Sequence, residues 1–163
     1  MNWIENLFNG TSLAILGAAL STLLAGTGSA KGCGIAGEAA AGVLTEDPNK
    51  FGQTLLLQAL PGTQGIYGMI ISFLILMKIG LIGGNPVALS TITGFRFLFA
   101  SLPIAVVGLT SGIAQGRASA ASMGIIAKRP EELGKAMMYP ALVETYAVLA
   151  MLISFLMWLG IQV

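Results

Sequence analysis

One carboxylate stands alone in the last 28 residues of the chain. Glu144 is the single charged side chain of the apolar run AMMYPALVETYAVLAMLISFLMWLGIQV (136–163). A charge placed there costs more than packing returns, so it marks an ion or proton pathway by default. Other polar groups interrupt equally apolar stretches: the amides of Gln64 and Gln115 and the hydroxyl of Thr63. Tyr67 follows Gln64 by three residues, a spacing that returns to the same helix face. Pro61 lacks an N–H and leaves a carbonyl one turn earlier without its helical partner, and Gly62 makes that backbone easier to reorient. In lipid, such a backbone must be satisfied by protein, water or an ion. A carboxylate, two amide oxygens, a hydroxyl and a freed carbonyl make an all-oxygen set of the kind a hard cation prefers. Without a cation the buried carboxyl favours its protonated form, so the same group can carry a proton. Taken singly, each amide or hydroxyl reads equally well as an interhelical hydrogen bond worth ~0.6 kcal/mol. Convergence of several on one acid favours a site.

The elements that must position these groups are long apolar helices. Residues 6–30 carry no charge, and the apolar pattern runs on past Lys31 and Glu38 to Leu44, where TEDPNKFGQ (45–53) supplies turn and charge signals. A second uncharged stretch covers 51–77 and ends at Lys78 and the loop GLIGGNPVAL. The third runs from about Thr91 to Ala127, and KRPEELGK (128–135) turns the chain into the fourth. Each exceeds the roughly 20 residues a bilayer requires. Counted from the loops, Glu144 lies nine residues beyond Lys135, Gln64 eleven beyond Gln53, and Gln115 thirteen before Lys128. At ~1.5 Å per residue these depths agree closely enough for one polar layer.

Composition narrows the function. Of 163 residues, 55% are hydrophobic and only 9% charged, and the mean hydropathy is +0.85. That describes a polytopic membrane protein. The net charge of +1 leaves no footprint for nucleic acid. With no His and one Cys, Cys33, a histidine-based hydrolase, a zinc site and an intrachain disulfide are all excluded. Cys33 reads as a small packing residue. The first residues, MNWIENLFNG, lack the basic region of a secretory signal and carry Glu5 instead, so the first apolar segment is expected to be a true span.

An internal repeat defines the architecture. MIISFLILM (69–77) falls on MLISFLMWL (151–159) with a shift of 82, which also takes Pro48 to Pro130 and Leu60 to Leu142. A shift of 84 takes AGTGSAKG (25–32) to LTSGIAQG (109–116). The fold class is therefore all-α, with four membrane-spanning helices as two duplicated parallel hairpins, 1–80 and 81–163, the second carrying the acid. Gly62 occupies the place of Glu144 and Lys31 that of Gln115. Small residues recur at Gly108, Gly112, Gly116, Ala120 and Gly124, and at Gly26, Ala30 and Gly34 beside Gly28 and Gly32. Such series let backbones approach closely, which predicts a tight inner layer of helices one and three with bulky helices outside.

Basic residues weight the 45–53 and 128–135 loops: Lys50, Lys128, Arg129 and Lys135. The positive-inside bias puts both loops in the cytoplasm and both termini across the cell membrane. Lys31 and Glu38, seven apart, share a helix face and read as a pair, or as lying beyond the hydrocarbon, rather than as transport groups.

The segments LPGTQGIYG (60–68), SGIAQG (111–116) and LVETYA (142–147) closely resemble the proteolipid (c/K) subunit of V-type rotary ATPases, most of all the bacterial sodium-translocating type. The resemblance spans nearly the whole chain, including the duplication. It implies a membrane rotor ring of identical protomers, coupled to ATP hydrolysis or synthesis in a soluble head. It also implies docking of the central stalk on the cytoplasmic loops and a stator subunit with an essential Arg. Glu144 would be the ion-binding carboxylate, with Na+ ligands from Thr63, Gln64, Gln115 and the Leu60 carbonyl, and Tyr67 would hydrogen-bond the carboxylate. Catalysis would lie outside this chain, which has no GxxxxGKS/T nucleotide loop. The alternatives are a ring of the same architecture carrying H+, a small four-helix secondary transporter using a midplane acid, and a structural pore-former.

Overall fold

The computed structural model describes residues 8–163, so the N-terminal stretch with Glu5 and the start of the first span lie outside the described residues. Helix α1 (Gly10–Glu46) is started by Asn9, whose side-chain oxygen accepts the Ser12 N–H at 2.8 Å, satisfying a donor the helix cannot. A 3-10 turn at Pro48–Lys50 leads into α2 (Phe51–Ala59); a second, Leu60–Gly62, separates α2 from α3 (Thr63–Lys78). Helix α4 (Thr91–Lys128) is capped by Ser90, and the 3-10 turn Pro130–Glu132 precedes α5 (Leu133–Leu159). Pro48 and Pro130, both opening a turn, suit its fixed φ and need no donor there. Four spans of 37, 31, 38 and 30 residues result, each long and apolar enough to cross a bilayer.

Helices α1 and α4 form the innermost seam, and glycines set its depth. A Cβ on Gly28 would stand 2.5 Å from the Gly108 carbonyl oxygen, and one on Gly112 would stand 2.6 Å from the Gly28 carbonyl carbon. Gly32 and Gly116 meet the facing backbone closer still, so this stretch of seam admits no side chain. The expected inner layer is therefore present, with one correction to its register. Gly28 and Gly32 face α4, whereas Gly26 and Gly34 look onto open space and Ala30 is exposed; Gly124 of α4 likewise meets nothing. Two residues along a helix is a rotation of about 200°, so the two interleaved small-residue series point to opposite sides.

The bulky helices lie outside. Ile66, Met69 and Phe73 of α3 and Leu149, Leu152 and Leu156 of α5 are exposed, an apolar surface suited to lipid. Inside, two apolar clusters occupy opposite ends of the bundle. One gathers Ile71, Ile75, Phe97 and Ile104, the other Leu57, Val43, Met123 and Ile126. The helix stretches between them carry the buried polar side chains Ser29, Gln64, Ser111, Gln115 and Ser119.

Candidate functional site

The polar layer is organised by the broken second span. Pro61 cannot donate, and at Leu60–Gly62 the chain tightens so that the Thr63 N–H bonds the Leu60 carbonyl three residues back. The Thr63 hydroxyl donates to that same carbonyl at 3.1 Å. Just beyond, the Gly65 N–H donates to Ser29 Oγ of α1 at 2.8 Å, so a neighbouring helix satisfies backbone beside the break. The turn itself rests on Gly32, where an added Cβ would stand 2.8 Å from the Pro61 side chain.

Glu144 projects from α5 into this layer, half-buried. The Tyr67 hydroxyl donates to its Oε1 at 2.7 Å, and Gln115 Nε2 donates to Oε2 at 3.4 Å. Gln64 Nε2 donates in turn to Gln115 Oε1, by a short bond, and to Ser111 Oγ at 3.3 Å. Ser111 donates its own proton to the carbonyl of Val143, the residue before the acid, at 3.2 Å. Gln64 and Gln115 are fully buried. This chain of bonds joins α3, α4 and α5 around one carboxylate. Its loose end is Gln64 Oε1, a buried acceptor with no donor. Buried acceptors are rarely left so, and one belonging to this network suits a cation that supplies no hydrogen bond but wants oxygen.

Of the residues grouped from sequence, Glu144, Tyr67, Gln115 and Gln64 are joined in one network. Thr63 and Leu60 adjoin it in the chain but bond each other rather than the carboxylate. The network adds two residues that sequence reasoning missed. Ser111 precedes Gln115 by four residues and so shares its helix face, a spacing that could have found it; Ser29 carries no comparable signal. Lys31 and Glu38 are both exposed on α1, and no ion pair joins them among the described residues, which removes the first of the two readings, a pair, and leaves the second. The described residues hold no cluster of three or more acidic, Cys or His side chains, so the layer offers one negative charge rather than a divalent-metal cage.

A bundle of four spans with one half-buried carboxylate, tied to a buried network of hydroxyl and amide groups, defines a multi-pass membrane protein with an intramembrane polar centre. Sequence comparison gives the particular lineage: the chain belongs to the ATP synthase C-subunit family, whose pattern matches residues 16–75 and again 98–157. The two matches are offset by 82 positions, the shift of the internal repeat. The V-type sodium ATPase subunit K of Enterococcus hirae is 49% identical over 160 residues, covering 98% of this chain and 99% of that one. The A-type ATP synthase subunit K of Methanocaldococcus jannaschii is 40% identical over 149 residues, 91% of this chain but 63% of that relative.

Proposed function

We propose that this chain is the rotor-ring subunit of a V-type rotary ATPase, and that each protomer binds one Na+ and carries it across the membrane. The observation that carries this reading is the orphaned Gln64 Oε1 in the network of the intramembrane Glu144. A site for protons alone needs only a carboxyl and one hydrogen-bond acceptor, whereas Na+ needs several oxygens. The E. hirae relative, a sodium ATPase subunit, supports the same ion.

In this mechanism the Glu144 carboxylate provides the charge, and Gln64, Gln115, Thr63 and the Leu60 carbonyl provide neutral oxygens. Gln115 Oε1 keeps a lone pair beyond the one Gln64 occupies. One cation against one carboxylate leaves the site neutral, which is what allows a protomer to face lipid as the ring turns. Tyr67 holds one carboxylate oxygen in place, and the proton competes for the same group. The hairpins 1–80 and 81–163 place their loops in the cytoplasm, against the central stalk, and the termini on the other side. A stator Arg would displace the ion at each step, and ATP chemistry belongs to the soluble head.

Dicyclohexylcarbodiimide, which modifies protonated buried carboxyls, tests the ion. Na+ and H+ compete for one site, so added Na+ slows the labelling of Glu144, and the Na+ concentration required rises as pH falls. K+ protects far less. Labelling indifferent to Na+ at neutral and mildly alkaline pH would transfer the reading to the proton-carrying ring.

A further inference from the structure

In the sodium-site reading Gln64 presents an oxygen to the ion, and an amide turned the other way would present an NH2 group and repel a cation. Nothing in the amide itself makes that choice; its hydrogen-bond partners do. Gln115 Oε1 accepts one Gln64 proton, but Gln115 is also an amide, held only by a long bond of 3.4 Å to a carboxylate that stops being acceptor-only when protonated, so it can turn with Gln64. A fixed reference is needed, and Ser111 supplies one. Its hydroxyl has a single proton, and the Val143 carbonyl, which can only accept, takes it at 3.2 Å. The lone pairs of Ser111 Oγ therefore face Gln64, whose Nε2 stands 3.3 Å away, and an oxygen at that place would meet lone pair against lone pair.

We propose that Ser111 is a positioning residue that sets the polarity of the site. It anchors a one-way chain, from the Val143 carbonyl through the Ser111 hydroxyl to the Gln64 NH2 group, that turns Gln64 Oε1 toward the ion. Three features carry this. Ser111 is buried, its acceptor is backbone of the residue adjoining Glu144, and Gln64 Oε1 is the oxygen left without a donor. Tyr67, which holds the other carboxylate oxygen, bonds neither amide and keeps its place whichever way they turn. The inference rests on the sodium-site reading above.

The test is binding of ²²Na+ to purified rings of four variants: Ser111→Ala, Ser111→Thr, Gln64→Ala and the double variant Ser111→Ala with Gln64→Ala. Ser111→Ala is expected to weaken Na+ binding about five- to tenfold, the scale of one hydrogen bond. Ser111→Thr keeps the hydroxyl and is expected to bind as the unmodified ring does. With Gln64 already Ala, removing Ser111 costs nothing more. Where alanine prevents ring assembly, Ser111→Cys, nearly the same size with a weaker donor, replaces it, with loss in the same direction. Unchanged Na+ affinity in Ser111→Ala, or an equal loss when Gln64 is already Ala, overturns the assignment. If Gln64→Ala itself binds Na+ normally, the ligand set of the sodium site fails, and the role of Ser111 falls with it.

Discussion

The two hairpins are copies that kept the same fastenings and divided the chemistry. Ser72 bonds the Ala18 carbonyl of α1 at 2.6 Å; its counterpart Ser154 accepts the Ile104 N–H of α4 at 3.2 Å. Thr63 and Thr145 each return a hydroxyl to the carbonyl three residues back, Leu60 and Leu142. Gly28 and Gly32 recur as Gly112 and Gly116, and the four interlock across the seam. Against that shared frame the differences concentrate in the polar layer. Where the second hairpin has Glu144, Gln115 and Ser111, the first has Gly62, Lys31 and Thr27. Lys31 is exposed, and Thr27 spends its hydroxyl on the Leu23 carbonyl of its own helix. The first hairpin instead contributes the broken turn at Pro61 with Thr63, Gln64 and Tyr67. The acid thus stands in one copy, while the other brings the broken turn and the amide and hydroxyl of Gln64 and Tyr67 to the same network.

The largest effect should come from moving the charge. Glu144→Gln is expected to abolish ATP-driven Na+ uptake into vesicles while the ring still assembles, since it removes the one group able to neutralise a cation in lipid. Adding Gly62→Glu to that variant returns an acid at the equivalent place, where a Cβ meets only Cys33 Sγ at 3.8 Å. Uptake should remain absent, because the first hairpin lacks the partners of Gln115 and Ser111. Recovery of uptake would mean that the hairpins are interchangeable after all.

The shared frame can be broken separately. Gly116→Ala drives a methyl into the backbone of Gly32 and should lower the stability of the protomer by about 1–3 kcal/mol, whereas Gly34→Ala, which meets nothing within the protomer, should cost less. Thermal unfolding of both variants in detergent decides; equal midpoints would contradict the seam. The smallest structural effect is expected of Gln115→Ala, since an interhelical hydrogen bond is worth ~0.6 kcal/mol in a membrane. Its Na+ affinity should nonetheless fall clearly, and titration with ²²Na+ that found no change would leave Gln115 as packing.

The spans, the repeat and the grouping around Glu144 are legible in sequence because their signals are strong. Apolar runs this long have one cheap solution, and polar residues within them are few. Rotation about each helix axis is not legible in the same way. Gly26, Ala30 and Gly34 satisfy the four-residue spacing as well as Gly28 and Gly32 do, and only the partner helix decides between two small-residue faces. Ser111 is hidden for a related reason. Serine is common in small-residue helices, and its significance lies in pointing at a carbonyl of α5, a tertiary fact. The pattern around Pro61 identifies a freed carbonyl one turn earlier but not the tightened turn that places the Leu60 carbonyl beside the Thr63 hydroxyl.

In the ring proposed above, one acid for four helices would also set the gearing. A ring built from these protomers has half as many carboxylates around its circumference as one in which every hairpin kept its own. Each revolution then moves half as many ions, so the work of each ATP is shared among fewer of them. Such a rotor trades throughput for thrust: it turns more times to move a given amount of Na+, but it can push each ion up a steeper electrochemical gradient. The replacement of a carboxylate by Gly62 is, in that sense, a change of gear.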